Sequence, residues 1–380
     1  MIISENLSLK NSENKKIRKK SDPINNNLAI IIFQYIIILF GICIIIFLLY
    51  LLKLQITTKG EIHILNIFDK SIKNINKISD ELLKPYIEAQ KDFCNNPNKS
   101  FIQKYENDVI LQDVKFNDLN YQIYNHKSFN VVRYNIQRFG AYEIEESNNA
   151  LEALKFYSNQ KNIASKDIFV LDIGGNIGWY PSLLGRYDYN ILSFEAFEKN
   201  YYISKKNFCL LNKDKHVVII TKGLGEKEET CEYFVHKGNV GNGMVICDKE
   251  KIQSRHLVSA FIKEGEVETT TLSKFLPFLS DKNIGLIKMD VEGHELKILK
   301  GGIDIITKYH VPFFILEFAD DMIRDVGSDP KELAQLFSEN GYKISIKGFL
   351  SKEYISVDDL LTKVHGTVYF IHQSMAEKIS

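Results

Sequence analysis

From Leu28 to Leu52 the chain reads LAIIIFQYIIILFGICIIIFLLYLL, 25 residues without a charge, in which Gln34 is the one strongly polar side chain. In hydrocarbon such a segment must satisfy its own N–H and C=O groups, which a helix does internally. At about 1.5 Å per residue it would be about 37 Å long, more than the ~30 Å core of a bilayer, so it spans with some tilt. A buried core helix would carry a polar stripe or be shorter, and a cleaved signal peptide would be shorter and end in small residues. Lys15, Lys16, Arg18, Lys19 and Lys20 precede the run, while only Lys53 and Lys59 closely follow it. The positive-inside rule then predicts a single-pass type II signal anchor. The N-terminus stays cytosolic, and the rest lies in the lumen of the endoplasmic reticulum or Golgi.

Asn98-Lys99-Ser100 is a glycosylation sequon in that setting. Forty-eight basic against 48 acidic residues give zero net charge, which excludes the cationic surplus that nucleic-acid binding requires. Five cysteines are too few for a disulfide scaffold, but with Cys43 in the span, Cys94, Cys209, Cys231 and Cys247 face an oxidising compartment. If Tyr233–Val235 and Met244–Ile246 pair about Gly238–Gly241, Cys231 and Cys247 fall opposite each other, as a bridge or as buried thiols.

Leu65, Phe68, Ile72, Ile75, Ser79, Leu82 and Tyr86 are alternately three and four apart. This predicts either a helical stem that self-associates or an amphipathic helix packed on its own domain. Asn95-Asn96-Pro97-Asn98 breaks the pattern. The organisation expected is a basic tail over 1–27, an anchor over 28–52, a stem over 53–100, a lead-in over 101–166 and an α/β domain over 167–380. In the lead-in, Tyr121–Tyr124 and Asn130–Tyr134 have strand character, and Ile144–Tyr157 reads as a helix.

Beyond Asp167, apolar runs alternate with helical stretches: Ile168–Ile173, a helix near Pro181–Leu184, Ile191–Phe194, a helix near Asn200–Leu211, then Val217–Thr221. After an excursion come Ile284–Met289, a helix from Glu295 to about Lys308, and Phe313–Phe318. Continuous apolar strands predict a doubly wound, mostly parallel Rossmann-like sheet, with ligands bound beyond its carboxyl edge.

The turn after the first of these strands is Asp172-Ile173-Gly174-Gly175-Asn176-Ile177-Gly178. Glu195 ends the next strand, 23 residues after Asp172, where a carboxylate can accept both hydroxyls of a ribose. A dinucleotide loop reads G-x-G-x-x-G and seats a pyrophosphate; here the loop opens on an acid, which repels phosphate and attracts an ammonium. S-adenosylmethionine, with an ammonium, a sulfonium and no phosphate, suits that charge better than NAD does.

The segments VLDIGGNIGWY, LSFEA, LIKMDVEGHELKILKGG and FFILEF, in that order, resemble the FkbM family of S-adenosylmethionine-dependent methyltransferases over about Asp167 to Ile346. The resemblance implies a class I methyltransferase fold, a seven-stranded mostly parallel sheet with an antiparallel last strand. Tyr342–Ile346 and Thr367–Ile371 are the candidates for its final two strands. It also implies that Asp172, Gly174, Asn176 and Gly178 line the methionine end of the cofactor and Glu195 the ribose. Ala196 stands where that family often has proline.

Four titratable groups, Asp290, Glu292, His294 and Glu295, follow the strand Ile284–Met289. Transfer to a hydroxyl is helped by a base, here Asp290 or His294, with Glu292 orienting a ligand; alternatively Glu292 and Glu295 cap the next helix. Their spacing fits no standard metal motif, and no metal is assigned. Glu317 is a further candidate for substrate contact. Asn239, Asn242 and Met244 sit in a stretch that reads as a lid or a plain hairpin turn. The expected activity is methyl transfer to a hydroxyl of a small molecule or glycan. The alternatives are a membrane-anchored glycosyltransferase, for which only Asp290-Val291-Glu292 approaches an Asp-x-Asp pair, and a catalytically silent scaffold.

Overall fold

The structure is a computed structural model and describes residues 81–96, 104–211, 217–248 and 260–379. The expected anchor at 28–52, the basic cluster before it, the sequon at Asn98 and the stem residues up to Ser79 lie outside the described residues. Among the described residues no helix is long and apolar enough to cross a membrane.

The first described element, helix α1 over 81–95, is not a free stem at this end. Leu83 is 3% exposed, and Leu82 and Tyr86 pack on the core. Gln90 pairs with a strand edge through its donated Nε2–H to the Val217 carbonyl (2.9 Å) and its Oε1, which accepts from the Ile219 N–H (3.0 Å). Cys94 is disulfide-bonded to Cys209. Where the spacing left two readings open, these last turns take the one packed on the protein's own domain.

A hairpin follows, β1 (Val109–Phe116) with β2 (Leu119–His126), then α2 (Val131–Phe139) and α3 (Ile144–Lys161). The strand expected at Asn130–Tyr134 is instead the start of α2. The Asn130 side chain accepts from the Arg133 N–H at 2.8 Å as an N-cap, and Val132 and Ile136, four apart, are the buried pair.

The central sheet contains β3 (Ile168–Ile173), β4 (Asn190–Phe194), β5 (Val217–Ile220), β10 (Asn283–Met289), β11 (Phe313–Phe318), β12 (Tyr342–Ser345) and β13 (Gly366–His372). Their order is β12-β13-β11-β10-β3-β4-β5, and β13 runs antiparallel to both its neighbours. The seven-stranded expectation therefore holds in strand count, order type and placement of the antiparallel strand. Helices α4 (Trp179–Leu184) and α5 (Glu198–Leu211) separate β3, β4 and β5, and α6 (Glu295–Lys300) follows β10. The helix expected over Glu295–Lys308 is interrupted after Lys300 by Gly301-Gly302 and turns helical again over Asp304–Thr307; at Gly301 a Cβ would lie 2.0 Å from the Gly225 carbonyl oxygen.

Parallel strands covered on both faces bury alternate residues in two separate cores. Leu171, Ile173, Phe314 and Phe318 belong to one, with Leu83 and Leu296; Ile168, Val170, Leu286 and Ile315 belong to the other, with Leu154 and Tyr202. The excursion forms a second sheet, β6 (Gly223–Gly225), β7 (Thr230–His236), β8 (Asn239–Ile246) and β9 (Phe261–Thr271), ordered β6-β9-β7-β8. Tyr233 pairs with Val245 and Phe234 with Met244, so the hairpin forms in the expected register and Cys231 is bridged to Cys247.

Candidate active site

The strand order reverses about β3: the sheet grows to one side through β4 and β5 and resumes on the other with β10, all four strands parallel. A crevice opens at that point beyond the carboxyl ends of the strands. It is walled by Gly174, Asn176, Glu195, Leu224, Tyr233, Gly243, Thr269, Asp290, Glu292 and His294, among others. The central sheet supplies its floor and the β6–β9 sheet one side. Gly241 and Gly243 of β8 face it, so the stretch read as a lid or a turn is a strand of the wall.

Strand register explains why polar groups collect here. Ser193, Asp172 and Lys288 pair level with one another across β4, β3 and β10, and so point to the same face. Just past the ends of these strands stand Gly174, Glu195 and Asp290, with Glu317 of β11 beside Asp290. Gly174 sits at φ +82°, and a Cβ on it would lie 1.9 Å from the Asp290 carbonyl oxygen, so this position tolerates no side chain.

Glu195 is 8% exposed, and each of its carboxylate oxygens accepts one backbone N–H, from Asn176 at 2.7 Å and from Phe197 at 2.8 Å. Burial pushes its carboxyl up to about 7 despite those bonds. The side chain is thus fixed in orientation, with lone pairs left for two further donors. Asn176 donates through Nδ2 to the Gly241 carbonyl (3.2 Å), while its Oδ1 is buried on the cleft wall without a partner among the described residues.

Two expected lining residues lie elsewhere. Asp172 is 1% exposed, accepts from the Ser193 hydroxyl at 2.8 Å and sits beneath the loop rather than on the wall. Gly178, at φ +81°, caps α4 where a Cβ would meet the Ser204 hydroxyl at 2.5 Å, which makes it a helix-packing position.

The acidic groups after β10 divide by environment. Asp290 accepts from the Lys288 ammonium at 3.2 Å; burial opposes its ionisation, but that ammonium holds its carboxyl below the ordinary range. Glu317 is pushed up, first by the adjacent Asp290 charge and then by burial. Glu292, at φ +53°, is pushed up to about 8 by burial and by Asp290. One carboxylate oxygen from each of Asp290, Glu292 and Glu317 lies within 4.8 Å of the others. Glu295, the first residue of α6, is fully buried and accepts weakly from the Val291 N–H (3.4 Å), which precedes the helix; the helix start carries no side-chain cap hydrogen bond. His294 is bound to β8 through Nε2, 2.7 Å from the Val245 carbonyl, and must donate there; burial lowers its ring to about 4, so it is neutral near pH 7.

Sequence reading passed over Lys288, Glu143, Tyr233 and Thr269. Lys288 was the findable one, as a charge inside an otherwise apolar strand. Tyr233 and Thr269 stand on β7 and β9, which only the fold brings to the cleft, while Glu143, just before α3, is buried beside Tyr180 and Lys288 rather than on the cleft wall.

A doubly wound seven-stranded sheet with a glycine turn after β3, a buried acid at the end of β4 and an acid-rich end to β10 is the layout of a class I methyltransferase domain. Residues 172–344 match the Methyltransferase FkbM domain, whose cofactor is S-adenosylmethionine. A "Methyltransferase 1" of Beauveria bassiana is 27% identical over 146 residues, 36% of this chain; the match spans 58% of that protein's length. Magnesium protoporphyrin IX methyltransferase from Synechocystis, solved with bound SAM, covers 66% of this chain and 87% of its own at 11% identity and a TM-score of 0.33. A putative O-methyltransferase from Klebsiella pneumoniae covers 64% and 96% at 13% identity and a TM-score of 0.31. The fold assignment rests on the strand order and register above.

The cleft fits this cofactor. The orphaned Asn176 Oδ1 suits an ammonium, and Glu195 keeps acceptor capacity for two ribose hydroxyls.

Proposed function

We propose that the chain transfers a methyl group from S-adenosylmethionine to a hydroxyl oxygen of a sugar-like acceptor, with Glu195 and Asn176 holding the cofactor and Asp290 as the base. S-adenosylmethionine supplies an electrophilic methyl on a sulfonium. The protein's part is to orient, to exclude water and to remove a proton. Glu195 grips the ribose, the Gly174 turn admits the methionine end without a Cβ in the way, and Asp172 steadies the loop from below. Asp290 is ionised and on the cleft wall, so it can take the acceptor's hydroxyl proton. The neutral His294, committed to Val245, is the weaker candidate. Glu292 and Glu317, largely protonated at neutral pH, can donate to acceptor oxygens, as suits a polyhydroxylated ligand.

The observation that carries this reading is the Glu195 carboxylate, fixed by two backbone N–H groups at the mouth of a strand-end cleft. Binding of radiolabelled S-adenosylmethionine to the purified chain tests it: saturable binding that Glu195→Gln weakens is expected, and no binding at millimolar cofactor overturns it. Mass spectrometry of glycans from cells lacking the protein would then show which 14-dalton increment disappears.

For placement, we read residues 28–52 as a type II anchor with the catalytic domain in the lumen. Two disulfides suit an oxidising compartment. A glycosidase-sensitive mass shift lost in Asn98→Gln, together with resistance to carbonate extraction, is the expected outcome.

A further inference from the structure

We propose that Lys288 is a positioning residue, its buried ammonium supplying the counter-charge that holds the Asp290 carboxylate in the cleft. The proposal rests on the reading of Asp290 as the base, and it concerns a residue that never touches the ligand. Lys288 lies in the middle of β10, 6% exposed, between Ile287 and Met289, which are fully buried. A central strand of a parallel sheet is the most costly place to put an ammonium, and an unpaired one there would cost several kcal/mol. Its Nζ is 3.2 Å from Asp290 Oδ2 and lies 5.4 Å from the centre of the Tyr180 ring.

The strand geometry gives the pairing its direction. Asp290 lies just past the end of β10, so Lys288 stands one step below it and level with its register partner Asp172. It thus approaches Asp290 from the sheet side and leaves the cleft side of that carboxylate open. Other groups crowd the same space: Asp172 from β3, Glu143 and Tyr142 at the start of α3, Tyr180 from α4, Glu317 from β11, and Glu292 and Glu295 after β10. Among the described residues, Lys288 is the cation whose field reaches Asp172, Glu143, Asp290, Glu292 and Glu317 alike. Without it, carboxyl groups packed this closely cannot all stay charged, and Asp290, already against Glu317, takes up a proton.

The test reads the Asp290 carboxyl directly, by 13C NMR of the full-length chain labelled at aspartate, with Asp290→Asn assigning the signal. In the wild type the signal stays that of a carboxylate down to pH 5. Lys288→Met keeps the length and apolar stem and removes the charge; its Asp290 signal should titrate at least about one pH unit higher. Lys288→Arg should restore the wild-type curve. Superimposable curves for wild type and Lys288→Met overturn the proposal, even if the variant is less stable, because a purely structural lysine changes stability without moving this titration. Should Lys288→Met not fold, Lys288→Gln, which keeps a polar head without the charge, takes its place: its Asp290 signal should likewise titrate higher than in the wild type, and a superimposable curve overturns the proposal. Cofactor binding is not needed for the readout, so loss of the functional reading would appear in the binding assay alone.

Discussion

Glu195 concentrates what single residues do here. Replacing it by Gln removes a charged acceptor while keeping its shape, which should cost about 1.5–3 kcal/mol of cofactor binding, roughly a 10- to 150-fold rise in Kd by calorimetry. Because burial lifts its carboxyl to about 7, the accepting form is lost as the pH falls through that value. Wild-type affinity should therefore drop below pH 7, and the Glu195→Gln variant should lack that step. Gly174→Ala should abolish binding outright, since a Cβ 1.9 Å from the Asp290 carbonyl forces β3 and β10 apart. Glu195 could be found from the sequence because strand-end acids at a fixed distance from a glycine turn have one geometric meaning. Asp172 was found but misplaced: spacing along the chain does not say whether a side chain lies on the loop's ligand side or beneath it, and the Ser193 hydroxyl put it beneath.

Elements were legible in proportion to how much of their environment is local. Phe313–Phe318 and Ile168–Ile173 are continuous apolar runs buried on both faces, and they fold where the runs predict. Strand β9 carries FIKEGEVETTT, mostly polar, and becomes a strand only because β7 and β6 flank it. Val131-Val132 looked extended because β-branched residues favour strands, but the Asn130 cap decided for a helix. The two disulfides act at this scale too. Cys231–Cys247 ties the hairpin bearing Tyr233 and Val245, both on the cleft wall. Cys231→Ser with Cys247→Ser should lower stability by about 2–4 kcal/mol in urea unfolding and weaken cofactor binding. Cys94→Ser with Cys209→Ser should cost a comparable amount of stability, with less effect on binding because it lies off the cleft.

For the molecule as a whole, the buried acids set a direction for stability against pH. Glu195 and Glu295 are pushed up to about 7 and Glu292 to about 8, chiefly by burial, while their unfolded values lie near 4.3. The folded state then holds more protons, so stability falls as pH rises through 7 and 8. His126 and His294, lowered by burial to about 4, act in the opposite sense, but only below their unfolded value of about 6.5. Between pH 6.5 and 8.5 the acids act unopposed, and the urea midpoint should decline steadily, by the equivalent of roughly 1–3 kcal/mol. A flat midpoint over that range would show that these carboxyls are already ionised.

The bond between Cys94 and Cys209 spans 115 positions of sequence. If the chain is pulled from its N-terminal side, as a tethered enzyme is by flow or by a moving membrane, tension passes at Cys94 straight across to α5. Everything threaded between the two sulfurs, the glycine turn and Glu195 included, then carries no extension. In an optical trap the oxidised protein should release a contour shorter by that segment, and a reducing agent should return the hidden length.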